Sequence, residues 1–166
     1  MDVTSNSLRV LLHDTINEIV QMREDQIRAV DTRKGLIKEM KAKKLPTAQL
    51  LKLATAGPVD QKKVEELKLA SALLGIPVAV DAVVADVPVD ADLAAFTKEK
   101  ISVIRSIDEE IDGYKEKIKE KYAAAKAASL TPNIIQQIVE FKIDPTKKTK
   151  YEERSSLLDK YLEVLG

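Results

Sequence analysis

The feature that most constrains the fold is a long stretch without proline near the start of the chain. No proline occurs from Leu8 to Lys44. Apolar residues recur there at the alternating three- and four-residue spacing of a heptad seam, at Leu12, Ile16, Ile19, Val30, Ile37 and Met40. This pattern predicts one helix of about 55 Å at 1.5 Å per residue. Such a helix buries only a narrow apolar stripe, so it requires a partner helix.

Two shorter helices are predicted to follow the long one. Pro46 ends the long helix, and the next apolar residues indicate a short helix over residues 47–54. The Gly57-Pro58 pair stops that helix. A third helix is predicted over residues 59–74, where Gly75 ends it.

The second half of the chain repeats the first. A shift of 85 residues places Leu8 on Leu93, and further apolar positions coincide in the same way. The closing Leu74-Gly75 of the first half corresponds to Leu165-Gly166. A shared helix breaker and a shared ending favour duplication over chance alignment of periodic sequences. The sequence therefore predicts two homologous three-helix units, over residues 1–75 and 93–166.

A linker over residues 76–92 separates the two units. It consists almost wholly of Val, Ala, Asp and Pro, with four aspartates and no Lys or Arg. If extended at about 3.3 Å per residue it could span roughly 55 Å, which would let the two long helices pair in parallel. Parallel pairing would place Arg23 opposite Asp108 and favour association of one copy with the other. A short edge strand or a loose loop is the alternative for the linker, and independent, partly exposed side chains are the alternative for this pair.

Composition excludes several classes of protein. Cysteine is absent and His13 is the single histidine, which excludes disulfide scaffolds, thiol chemistry and the usual zinc sites. The acidic run Asp108, Glu109, Glu110 and Asp112 is nearly consecutive on a predicted helix, so its side chains point in several directions. We interpret His13 as a surface or interface residue and the acidic run as a solvated face. No Gly-rich phosphate loop or catalytic dyad occurs, so we expect no enzyme activity, no cofactor and no metal.

The chain is predicted to be soluble and intracellular. No stretch reaches the roughly 18 consecutive apolar residues that span a bilayer, and the N-terminus has no signal-peptide pattern. Lys plus Arg and Asp plus Glu both number 27, so net charge alone provides no attraction to a polyanion. Any such attraction must come from local segregation of charge.

Lysine is concentrated in the second half of each long helix. The first copy has 13 basic and 9 acidic residues from Leu8 to Gly75. Within the two long helices, lysines recur at helical spacing, at Lys34, Lys38 and Lys41 and again at Lys115, Lys119 and Lys126. These stripes could follow a phosphate backbone. The alternative is a solvated face in which lysine complements the C-terminal end of the helix dipole.

The end of the chain resembles the GapR family of bacterial nucleoid-associated proteins. KEKYAAAK begins at Lys119, SLTPNIIQQIVEFKID follows, and YEERSSLLDKYLEVLG closes the chain. The resemblance covers residues 93–166, and residues 1–75 resemble the family only through their relation to the second copy. It implies an all-helical, non-enzymatic DNA-binding protein of the cytoplasm and nucleoid. It also implies a clamp around duplex DNA, a preference for AT-rich or overtwisted DNA, and a homo-oligomer, here a dimer of tandem chains.

We select seven lysines for phosphate contact, and the resemblance also shows where this chain departs from the family. The candidates are Lys34, Lys38, Lys41, Lys52, Lys119, Lys126 and Lys142. The short helix of the family is usually rich in Lys and Arg, whereas this chain has Asn133, Gln136, Gln137 and Glu140 there. About half of the expected phosphate contacts are therefore missing, which predicts weaker and less salt-sensitive binding. The alternative function is a helical protein-interaction scaffold, or a decoy that joins family oligomers without binding DNA.

Overall fold

The protein is all-helical in the parts that the structure describes. A computed structural model describes residues 6–57, 64–78 and 84–165, and no strand occurs in these ranges. The six helices are α1 (Asn6–Ala42), α2 (Thr47–Ala56), α3 (Val64–Leu74), α4 (Ala91–Ala127), α5 (Pro132–Ile143) and α6 (Pro145–Leu165). The predicted all-α class and the long helices are confirmed. None of the described helices is long and apolar enough to cross a membrane.

The two long helices end in the same local structure. Both contain 37 residues, and their bounds differ by the predicted shift of 85. Past each end, a residue other than glycine has a positive φ, 58° at Lys44 and 64° at Ser129. The next amide then bonds a carbonyl five residues back, from Leu45 to Met40 and from Leu130 to Ala125. These shared features support the predicted duplication, which stays a prediction.

The described residues form two compact units, and each long helix contributes to both. One unit runs from Arg28 to Ile111, and the other combines the residues up to Ile27 with those from Asp112 onward. We call the first the middle unit and the second the terminal unit. The compact units therefore divide the chain differently from the sequence repeats.

The middle unit has its core where α2 and α3 pack on the long helices. Leu50 and Leu53 of α2 and Leu73 of α3 are fully buried with Met40 and Ile104. Ile37 and Met40, two of the periodic apolar positions of α1, therefore lie in or against this core, as the heptad pattern predicts. Part of the predicted linker, residues 84–90, is non-helical, and residues 79–83 of the linker lie outside the described residues.

The terminal unit is built in the same way from the other halves of the long helices. Ile19 of α1 and Ile118 of α4 are buried together with Ile135 and Val139 of α5. Lys142 of α5 donates a hydrogen bond to Asn17 Oδ1 of α1 at 3.2 Å. These contacts hold the short helix against both long ones.

The long helices run antiparallel in the middle unit, so the predicted parallel pairing is wrong. In the middle unit Arg33 Nε lies 2.5 Å from Asp108 Oδ1, and Lys100 Nζ lies 2.7 Å from Glu39 Oε2. In the terminal unit Lys121 pairs with Glu18. In the middle unit, the later residue of α1 pairs with the earlier residue of α4, and this reversed order defines an antiparallel pair. A heptad seam is apolar whether the partner helix runs parallel or antiparallel, so sequence periodicity does not distinguish the two arrangements.

The predicted pairing of Arg23 with Asp108 is also wrong. Asp108 pairs with Arg33, and Arg23 NH2 instead lies 3.1 Å from Glu140 Oε1 of α5. Antiparallel helices bring different residues together from those that the parallel register would match. The charges on the seam are nonetheless paired across helices.

Candidate nucleic-acid interface

The first lysine stripe lies on α1 in the middle unit. Lys34, Lys38 and Lys41 are all exposed, at spacings of four and three residues that keep them on one side of the helix. Four residues of helix correspond to about 6 Å of rise. Lys34 Nζ lies 3.3 Å from Asp31 on the same helix, an exposed pair that water and salt screen strongly. Lys52, also exposed, lies in the same unit on α2.

The second stripe lies in the terminal unit. Lys119 and Lys126 are exposed on α4, seven residues apart on one side of the helix. Lys115 precedes Lys119 by one turn and is 60% exposed. Lys142 is exposed on α5, where its contact with Asn17 directs it towards α1. The structure therefore places all seven candidate lysines at the surface, four in the middle unit and three in the terminal unit.

An open groove of about 400 Å³ lies beside the second stripe within the terminal unit. Three cationic side chains line it together with neutral hydrogen-bonding groups, at Arg23, Gln26, Lys115, Ile118, Lys119, Tyr122 and Gln136. Partial burial raises the pKa of the Tyr122 hydroxyl, which keeps it protonated as a donor. The groove thus offers positive charge and proton donors together. Helical spacing groups Lys119 with Lys115, but it gives no reason to add Arg23, because Arg23 lies on α1, far from both in the sequence.

One carboxylate of α5 joins two cations at the border of this groove. Glu140 Oε1 accepts a hydrogen bond from Arg23, and Glu140 Oε2 accepts one from Lys147 of α6. The Glu140 side chain is 27% exposed, so the pairs are only partly screened. The hydrogen bond from Lys147, reinforced by Arg23, lowers the pKa of Glu140 below its usual value. Helix α5 therefore differs from the basic short helix of the family in two ways. It has fewer cations that could contact phosphate, and its Glu140 neutralises neighbouring cations.

Helix α6 leaves an apolar face uncovered, unlike its counterpart α3. None of its described residues is buried, and its large apolar side chains are about half exposed or more, at Tyr151, Leu157, Leu158, Tyr161, Leu162, Val164 and Leu165. When the two halves are aligned on their shared Leu-Gly ending, Leu158 corresponds to Leu67. Leu158 is 56% exposed, whereas Leu67 is only 1% exposed. Within the terminal unit α6 contacts α5, where the rings of Phe141 and Tyr151 lie 5.5 Å apart. An apolar stripe of this length is typical of a helix that packs against another protein surface.

The residues weighed for metal or catalytic chemistry make ordinary surface contacts, and Asp112 pairs with Lys115 of the second stripe. His13 is exposed and contacts Asn17 of its own helix, which agrees with a surface position. Asp108 pairs with Arg33, whereas Glu109 and Glu110 are exposed. Across the described ranges, no three His, Cys, Asp or Glu side chains converge as a metal site would require.

Comparison with known proteins identifies the part of the chain that holds the second stripe, α6 and the groove residues other than Arg23 and Gln26. Residues 96–166 match the family model described as GapR-like, DNA-binding domain. The matched range takes in most of α4 and all of α5 and α6 as the structure describes them. No curated protein and no solved structure matches the chain. Residues 96–166 are therefore similar to the GapR-like DNA-binding domain, and the resemblance inferred from the closing motif is confirmed.

Proposed function

We propose that this protein binds duplex DNA largely independently of sequence and without catalysis, by contacts between lysines and phosphates. The observation that carries the proposal is the pair of exposed lysine stripes, one of which lies inside the GapR-like domain. Phosphates follow one another along a strand at a spacing comparable to one helical turn, so a stripe can meet several of them. Lys34, Lys38, Lys41, Lys52, Lys119, Lys126 and Lys142 are the proposed contacts.

The residue types favour contact with the backbone over reading of base edges. Lysine binds phosphate as a point charge, whereas base readout in the major groove relies mainly on bidentate Arg, Asn and Gln. All seven proposed contacts are lysines. A preference for AT-rich or overtwisted DNA, as the family resemblance implies, would therefore come from groove shape and deformability. Binding of this kind would place the protein on the nucleoid.

We assign the uncovered face of α6 to a second copy of this chain. The first turns of the helix hold Lys147, Lys148 and Lys150, and Glu163 lies near its end. Two copies of α6 packed antiparallel would bring the basic first turns of each near the acidic last turn of the other. A pair with two-fold symmetry uses the same face on both copies, as most homodimers do. The dimer of tandem chains would then form the proposed clamp around duplex DNA.

The test is fluorescence anisotropy of labelled duplexes, one AT-rich and one GC-rich, over about 50 to 200 mM salt. Binding to both duplexes, with a logarithm of affinity that falls linearly with the logarithm of salt, is the expected result. Each engaged phosphate contributes about −0.9 to that slope, so seven contacts per chain set an upper limit near −6. The slope therefore counts the contacts that are made.

A triple variant tests whether the stripe itself makes the contacts. Changing Lys34, Lys38 and Lys41 to Gln should make the slope shallower by up to about 2.7 and weaken binding to both duplexes alike. The matched control changes three lysines outside both stripes to Gln, at Lys68, Lys98 and Lys160. Equal losses in the two variants would mean that net charge, and not the stripe, determines affinity.

The second candidate function is a protein-interaction scaffold or decoy. It is favoured by the uncovered apolar face of α6 together with Glu140, which neutralises Arg23 and Lys147. Absence of DNA binding at the lowest salt, with self-association retained, would establish this function in place of the first. An enzyme activity has no supporting arrangement among the described residues.

A further inference from the structure

The contacts of Glu140 in the terminal unit suggest an internal limit on DNA affinity. Its two carboxylate oxygens each accept a hydrogen bond from a different cation, Arg23 of α1 and Lys147 of α6. A backbone phosphate presents the same arrangement, two anionic oxygens close together. Glu140 therefore occupies Arg23 and Lys147 as a bound phosphate would.

Arg23 is placed where it could meet such a phosphate. Its side chain is 35% exposed and lines the groove that also holds Lys115 and Lys119. Its other terminal nitrogen, NH1, donates to Gln26 Oε1 at 3.1 Å, which fixes the plane of the guanidinium. Arginine in a fixed plane can bind phosphate through two parallel hydrogen bonds.

The remaining cations of the groove are held far more weakly. Lys115 pairs with Asp112 at 2.8 Å and Lys119 with Glu116 at 3.7 Å, on their own helix. All four of these side chains are at least 60% exposed, so the pairs exchange readily with solvent and salt. Arg23 differs because its carboxylate partner is only 27% exposed and comes from another helix.

We propose that the Arg23 groove is a site for one backbone phosphate and that Glu140 limits its occupancy by holding Arg23 and Lys147. The inference rests on the proposed function, since the phosphate belongs to bound DNA. Removing the charge of Glu140 frees two cations for phosphate contact. The short helix thereby lowers affinity actively, in addition to having Lys142 as its one basic residue.

Glu140→Gln tests the proposal, measured by anisotropy on the same duplexes and over the same salt range. Tighter binding is expected, with a slope steeper by about 0.9 for the one added phosphate contact. The gain should shrink by roughly threefold per contact between 50 and 200 mM salt. Circular dichroism at the assay temperature checks that the variant stays folded.

Glu24→Gln is the matched control, because Glu24 is exposed on α1 next to Arg23 and its removal changes net charge equally. It should leave the slope nearly unchanged. An unchanged slope in Glu140→Gln, or an equal gain in Glu24→Gln, would overturn the proposal.

A double-mutant cycle isolates the contribution of Arg23. Arg23→Gln should reduce affinity little while Glu140 is present, but should remove much of the gain when combined with Glu140→Gln. Equal effects of Arg23→Gln in both backgrounds would contradict the proposal. If neither wild type nor Glu140→Gln binds DNA, the proposed function fails as well. Wild-type binding without any gain in Glu140→Gln overturns this inference alone.

Discussion

At the scale of single residues, the ion pairs of Glu140 link stability to pH. Because Lys147 and Arg23 lower its pKa in the folded state, these pairs stabilise the fold above the ordinary carboxyl pKa of 4.5. That contribution is lost as the pH falls through the lower folded-state pKa. Glu140→Gln should therefore cost about 1 kcal/mol at neutral pH and progressively less below pH 4.5. Urea unfolding of both proteins at several pH values measures the difference.

The control for this prediction is Glu152→Gln, which removes an exposed pair with Lys148 on α6. An exposed pair at this spacing contributes only about 0.3–0.5 kcal/mol. A difference between wild type and Glu140→Gln that stays constant from neutral pH to about pH 3 would contradict the linkage.

Residue-level inference from the sequence succeeded for surface position and failed for partners. Helical spacing placed Lys34, Lys38 and Lys41 on one exposed face, because spacing alone decides which residues share a side of a helix. The role of Arg23 was missed because its partner lies 117 residues further along the chain. Only the tertiary fold brings such residues together.

At the scale of helices, boundaries were predictable and direction was not. The long helix was predicted from Leu8 to Lys44 and spans Asn6–Ala42. Its end is predictable because a turn and a proline just past a helix stop it through local sequence alone. The start predicted for the third helix, residues 59–63, lies outside the described residues. Antiparallel pairing depends on contacts between distant segments, and an apolar seam carries no directional signal.

Cross-linking can test the direction of the long helices within the middle unit. The chain has no cysteine, so a pair introduced at Glu39 and Lys100 would be the reactive thiols of the protein. A short bis-maleimide should join them efficiently, because these side chains meet across the helices at 2.7 Å. Mass spectrometry of the digested protein reads the cross-link.

The control pair places cysteines at Glu39 and Ala124, which the parallel register of the repeats would align. It should cross-link poorly within one chain. Preferential reaction of this control pair would show that the helices pair in parallel in solution.

At the scale of the whole molecule, the two halves of the predicted repeat differ in how far their last helix is buried. The third helix of the first copy is covered, with Leu67 and Leu73 in the core of the middle unit. The last helix of the second copy, α6, has no buried residue among those described. Each tandem chain therefore has one uncovered α6 face. Two separate single-copy chains, each with an uncovered last helix, would together have two. A closed association of two chains through that face needs no further copy.

This predicts a dimer that depends on α6. Changing Leu158 and Leu162 to Lys should shift the protein from dimer to single chains in light scattering across micromolar concentrations. Both side chains are more than half exposed, so the change costs the folded unit little stability. The pair lies on one face of the helix, where two lysines would meet their counterparts across a two-fold axis.

Val10→Lys is the control, since Val10 is 54% exposed on α1 and lies outside the α6 face. It should leave the dimer intact. Because the proposed clamp requires two chains, the α6 variant should also bind DNA more weakly, with a shallower salt slope per chain. A variant that stays dimeric would assign the association to another surface. Loss of the dimer with full DNA affinity would mean that each chain binds duplex without closing a clamp.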